Sequence, residues 1–152
     1  MDDYLKYIKE CFKNIIDTYG FDFVIINDAR AALVGNDFAI TIGISIDGAE
    51  ISYICKNKFD NLEEYFFNTF IAEACNDNDF IGLNEPQNIH DNILFELQVI
   101  SRVLLNHWKN ILQGDKTWIN QFLLEDEENE AEPVNDIVIK ILEPYFNKRN
   151  IK

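Results

Sequence analysis

The stretch Phe38-Ala39-Ile40-Thr41-Ile42-Gly43-Ile44-Ser45-Ile46-Asp47-Gly48-Ala49-Glu50-Ile51-Ser52-Tyr53-Ile54-Cys55 decides the fold. Large and small residues alternate through its first half. Phe38, Ile40, Ile42, Ile44 and Ile46 fall on one side, and Ala39, Thr41, Gly43 and Ser45 on the other. A period of two places successive side chains on opposite faces of a strand. Asp47-Gly48 then separates this run from Ala49–Cys55, a strong hairpin signal because the expected turn needs positive φ at both residues. One face of the resulting sheet is expected to meet the core, and the other is small and half-polar.

The same reading extends outward. Phe21, Phe23 and Ile25 alternate with Asp22, Val24 and Ile26, and Ala31–Val34 is a further extended run. Gly35-Asn36-Asp37 supplies a looser turn. An antiparallel meander of three or four strands is predicted. Ahead of it, Leu5, Ile8, Phe12, Ile15, Ile16 and Tyr19 recur at helical spacing. Asp2 and Asp3 suit the N-terminus of that helix, and Gly20 its left-handed cap. Lys6, Lys9 and Lys13 lie mostly off the apolar stripe and are expected in solvent.

Helical patterns resume after Asn57. Asp60-Asn61-Leu62-Glu63 resembles a capping box, which predicts a helix to about Cys75 that buries Leu62, Phe66, Thr69, Phe70 and Ala74. Asn76–Asn84 reads as a polar loop. Asn88 or Asp91 opens the longest helix, to Leu112, with Ile89, Ile93, Leu97, Ile100, Leu104, Trp108 and Ile111 on one stripe, and Gly114 follows as its cap. Asp115 caps a short helix over Lys116–Leu124. Glu125–Glu132 carries six carboxylates in eight residues, a run that repels itself and stays solvated. Pro133 is predicted to start a last helix, and Pro144 to end or kink it. Tyr145 and Phe146 then pack, and Lys148-Arg149 forms a basic tail. Segregated strands and helices give an α+β fold, a single domain over residues 1–152 with the C-terminal helices on one face of the sheet.

Composition bounds the function. The 152 residues carry 27 acidic and 13 basic side chains, a formal charge of −14. Hydrophobic residues make up 47%, enough apolar material to offset chain entropy and argue against disorder. The charge argues against direct nucleic-acid binding and against an anionic membrane surface. The longest uncharged stretch, Phe38–Ile46, is far shorter than the roughly 20 residues of a spanning helix. Charged residues through positions 1–20 leave no room for a secretory apolar segment. Cys11, Cys55 and Cys75 show no C-x-x-C spacing and read as buried thiols, so the expected location is cytoplasmic.

No chemistry-bearing motif stands out. Asp77-Asn78-Asp79 with Gly82 copies the start of a calcium loop, but Ile81 and Asn88 occupy positions that need oxygen ligands. His90 and His107 have no companions at zinc-ligand spacing. Ser45, Ser52 and Ser101 lack a nucleophile elbow, and Cys55 has no identifiable histidine partner. Phosphate-binding glycine loops are absent. No metal, cofactor or catalytic residue is therefore expected, and the chain reads as a non-enzyme. Acidic side chains are spread along the chain with a maximum at Glu125–Glu132, a distribution that serves solubility and also attracts basic proteins.

A small acidic chain without a signal, rich in Ile, Asn, Lys and Phe, resembles the immunity proteins of bacterial polymorphic and contact-dependent toxin systems. The opening helix Tyr4–Tyr19 ending in Tyr19-Gly20-Phe21, the meander through Ile44-Ser45-Ile46-Asp47-Gly48 and the helical second half carry the likeness. The resemblance implies a cytoplasmic protein whose partner is one cognate toxin domain, basic and often a nuclease, bound so that its active or substrate-binding surface is occluded. Immunity families share no common set of binding residues, so none is transferred. From the charge pattern alone, Glu125, Asp126, Glu127 and Glu128 are the first candidates for partner binding. Asp77 and Asp79, with Asp47 at the hairpin tip, come second. A small enzyme with an unrecognised site and a regulatory adaptor are the alternatives.

Overall fold

The structure, a computed structural model, describes residues 3–150, with side chains through 148. Asp2 and the Arg149 side chain lie outside the described residues. Two short helices, α1 (Tyr4–Cys11) and α2 (Lys13–Tyr19), lead into strands β1 (Asp22–Asn27), β2 (Arg30–Val34), β3 (Phe38–Ser45), β4 (Gly48–Lys56) and β5 (Leu62–Phe66). There follow α3 (Asn68–Ala72), a 3-10 turn (Asp77–Phe80), α4 (Ile89–His107), α5 (Lys109–Leu112), α6 (Trp118–Glu125), β6 (Glu132–Pro133) and α7 (Asp136–Asn150). The sheet has six strands in sequential order, every neighbour antiparallel. The α+β reading holds, but the strand count exceeds the three or four predicted.

The alternation in β3 does what its pattern demands. Phe38, Ile40, Ile42 and Ile44 join Leu33, Ile51 and Tyr53 in a core covered by α1 to α6. At the turn the register differs from expectation. Ser45 pairs with Gly48, so the turn residues are Ile46 and Asp47. Among the described residues Asp60 is the only non-glycine at positive φ, so the special conformation falls on Gly48 (φ 120°) and not on Asp47. Ile46, placed on the core face by the alternation, is 96% exposed at the tip.

The capping-box reading of Asp60–Glu63 is overturned. Asn57 accepts the Phe59 and Asn61 N–H groups on its side-chain oxygen, and Asp60 takes φ 67°. This tight loop returns the chain as β5 alongside β4, with Lys56 opposite Leu62. Leu62 and Phe66 are four apart, but Tyr65 also fits a period of two, and it packs edge-on to Trp118 and Phe122. Tertiary pairing with an otherwise open β4 edge wins over the local helical pattern. The predicted helices at either end are also broken, at Phe12 between α1 and α2 and at Trp108 between α4 and α5.

The expectation that every C-terminal helix lies on one face is corrected too. Val134 and the α7 residues Val138, Leu142 and Phe146 pack on Val24, Ala32, Val34, Ala39 and Ile54, the opposite side of the sheet. Alanines at 32 and 39 let the helix approach closely. Pro133 belongs to the edge strand β6, where its missing N–H is tolerated. Pro144 sits inside α7 on an exposed position and does not end it. No described helix is long and apolar enough to cross a membrane.

Beyond the part of this second face that α7 covers, a polar row crosses the sheet. Arg30 donates to Thr41 Oγ1 (2.9 Å), Ser52 Oγ (3.4 Å) and Glu64 Oε2 (2.5 Å), and Ser52 donates to the same Glu64 oxygen at 2.6 Å. Arg30 lies beside its strand partner Gly43, where an added Cβ would meet the Arg30 methylenes at ordinary contact distance, 3.4 Å from Cγ. Thr41, Ser52 and Glu64 are buried. Arg30→Met should destabilise the protein by about 3 kcal/mol in urea titrations, because it strands a buried carboxylate. Adding Glu64→Met should restore most of that loss.

Candidate functional site

The β3–β4 hairpin is held from two sides. Ala49 N–H donates to Glu96 Oε2 on α4 at 2.8 Å. Asn68, the first residue of α3, donates to the Ala49 carbonyl (3.1 Å) and accepts from the Ile51 N–H (2.7 Å). Its amide thus continues the ladder of β4 where the pairing with β5 stops at Ser52. A Cβ on Gly48 would lie 2.6 Å from the pinned Glu96 carboxylate. The hairpin end is therefore rigid, and Asp47 and Glu50 project from it exposed.

Beside it opens a cleft of about 380 Å³ whose walls include Asp47, Glu50, Phe66, Asn68, Thr69, Phe70, Phe122 and Asn129. Among the described residues no Lys, Arg or His lines it. The acid-rich segment begins at its rim. Asn129 donates to the Phe122 carbonyl (2.9 Å), and Asp126 accepts the Glu128 N–H (2.9 Å). These bonds fold Glu125–Asn129 into a compact turn with its carboxylates exposed.

The chain then pairs with β5 through Glu132 and Pro133 and borders a second cleft of about 590 Å³. This one adds Asp60, Glu63, Asp136 and Glu143 to Glu132, with Leu62, Val134 and Ile139 as apolar lining. Among the described residues Lys56 is its one cationic lining residue, 3.3 Å from Asp60. The 125–132 segment is thus the ridge between two anionic clefts. Twelve of the 27 carboxylates lie on the ridge and in the clefts. Exposed apolar side chains accompany them: Ile46 at the hairpin tip, Phe66 in the first cleft, and Leu123 and Leu124 next to Phe122.

Asp47 lines the same cleft as Phe122 and Asn129, which flank Glu125, Asp126, Glu127 and Glu128 in the chain, while those four line neither cleft. The structure leaves Asp77 and Asp79 out. Asp77 is exposed on the 3-10 turn and lines neither cleft. Asp79 is fully buried, which corrects its reading as a surface contact. Its carboxylate accepts the Asn76 N–H (2.8 Å) and Asn106 Nδ2 (2.7 Å) and lies 3.0 Å from His107 Nε2. Arg102 bonds the Ile81 carbonyl nearby, so the whole turn is fastened to α4. Sequence spacing hid this hub, because Asp79 and His107 are 28 positions apart. Glu50 stood in the quoted alternation as a polar residue, while Asn68 carried no local signal.

Asp79, His107 and Cys75 invite a chemical reading, but the order is that of a tether. The carboxylate lies between thiol and imidazole, and the Cys75 thiol is raised by burial and by Asp79. Burial also opposes ionisation of Asp79, but the Asn76, Asn106 and His107 hydrogen bonds and the His107 charge outweigh it and hold the carboxyl below its ordinary range. Among the described residues no group of three or more His, Cys, Asp or Glu could hold a metal ion. No protein family, curated protein or solved structure matches the chain.

A carboxyl held below its unfolded value of about 3.9 stabilises the fold fully above that pH and loses its contribution as pH falls through the lowered value. Asp79→Asn should cost about 2 kcal/mol at pH 7. Urea titrations across the acid range should show the gap between variant and wild type closing below pH ~4.

Proposed function

We propose that this chain is an immunity protein that binds a basic toxin domain and occludes its active or substrate-binding surface. The observation that carries the reading is the gathering of twelve carboxylates on one ridge and its two clefts, with the part-exposed Phe66 lining one of them. Such a surface has the two parts a protein-binding site needs. Ile46, Phe66, Leu123 and Leu124 supply apolar anchors that slow dissociation. The carboxylates steer a cationic partner into encounter. A nuclease fits this chemistry, because its own substrate-binding surface is cationic where it grips phosphates.

The reading assigns inhibition to occlusion and charge complementarity, with no catalytic step in this chain and a cytoplasmic site of action. An adaptor reading has its own support in Phe80, Ile81 and Ile89, which are 40%, 66% and 78% exposed and line neither acidic cleft. The two readings place the interface on different surfaces.

Co-expression with the product of the gene immediately upstream should rescue growth and yield a stable complex. Absence of both binding and toxicity would sink the immunity reading. With the complex in hand, replacing Glu125, Asp126, Glu127 and Glu128 by their amides should slow association about tenfold or more at low salt and leave dissociation nearly unchanged. Raising salt should erase that difference. Loss of binding on Ile81→Ser and Ile89→Ser, with the amide variant intact, would favour the adaptor.

A further inference from the structure

The cleft beside the β3–β4 hairpin has an unequal hydrogen-bonding inventory. Several of its donors are engaged: one N–H of Asn68 Nδ2 serves the Ala49 carbonyl, one of Asn129 Nδ2 the Phe122 carbonyl, and the Ser45 hydroxyl the Gly48 carbonyl. Each amide keeps a second N–H, and the groups left unpaired are weighted toward acceptors. The Asp47 and Glu50 carboxylates and Asn129 Oδ1 have no partner among the described residues, and the Thr69 hydroxyl can also accept. Two other carboxylates near the sheet are committed, Glu96 to a backbone N–H and Glu64 to Arg30.

One wall is aromatic. Phe66, on the strand opposite Ser52, is 37% exposed and offers its ring, while Phe70 and Phe122 floor the cleft as core residues only 3% and 2% exposed. A ligand for this space must bring several donors, positive charge and a flat surface that stacks on a phenyl ring. A guanidinium has all three, with five donors in a rigid plane and weak hydration. An ammonium offers a compact, strongly hydrated point charge that wastes the aromatic wall. The volume of about 380 Å³ is ample for one such side chain.

We infer that this cleft receives an arginine side chain of the partner, clamped by Asp47 and Glu50 and stacked on the exposed ring of Phe66. The inference rests on the partner-binding reading and narrows it, because the ridge steers any basic surface whereas the cleft selects one side chain.

The test is a titration of the free protein with N-acetyl-arginine amide, followed by amide NMR shifts. Saturable shifts are expected at Asp47–Glu50, Asn68 and Asn129, with none from the neutral isostere N-acetyl-citrulline amide. Asp47→Asn with Glu50→Gln should weaken the probe about tenfold or more. Both residues are exposed and unpaired, so the variant should keep its native spectrum. Glu125→Gln with Glu127→Gln should leave probe binding within about twofold. Equal binding of N-acetyl-lysine amide, shifts spread over all exposed acids, or no saturable shift at the cleft would each overturn the inference. Arginine binding without toxin neutralisation would remove the immunity reading and leave the cleft assignment. Neutralisation that survives Asp47→Asn with Glu50→Gln would do the reverse.

Discussion

The constraint on which the rest of the structure depends is the unequal pair of faces that β3 and β4 give the sheet. One face is built from Phe38, Ile40, Ile42, Ile44, Ile51 and Tyr53, and it needs a deep cover. Trp118 fills that cover, 5.0 Å from the rings of both Tyr53 and Phe67, and so brings α6 onto the sheet. The other face is shallower, with Ala32, Ala39, Gly43, Thr41 and Ser52 set among Val24, Val34 and Ile54. It takes one helix, α7, at close range, and a polar row under Arg30 where α7 does not reach.

That division explains what was legible in the sequence. The β3–β4 hairpin, the left-handed end of α2 at Gly20 and the Asn88 cap of α4 follow from local patterns, and the structure contains each. The errors arise where a distant partner decides. Leu62–Phe66 satisfies both a helical and an extended period, and only the open edge of β4 selects the strand. Glu132-Pro133 looks like a helix start until β5 offers it an edge. The stripe of Val138, Leu142 and Phe146 announces a helix without saying which face of the sheet it will meet.

The acidic residues divide the same way. Composition counts 27 equivalent carboxylates, yet their partners separate them into two kinds. Asp79, Glu64 and Glu96 are internal fasteners that bind a turn, a sheet face and a hairpin. The ridge residues are mostly free of such duties. Sequence reasoning found the ridge because its charges are contiguous. It mistook Asp79 for one of them because a buried aspartate and an exposed one look alike until the residues 27 and 28 positions away are placed.

The fasteners also make the free carboxylates usable. A mobile acidic loop would attract a cation without orienting it, and ordering it on binding would cost conformational entropy. Here Glu96 and Asn68 fix the hairpin end, and Asn129 folds the ridge back onto α6. The backbone that carries the charges next to the first cleft is therefore held in place before any partner arrives. Preorganisation of this kind is what lets an acidic surface discriminate among basic partners, since like carboxylates on a flexible chain would offer the same field to all of them.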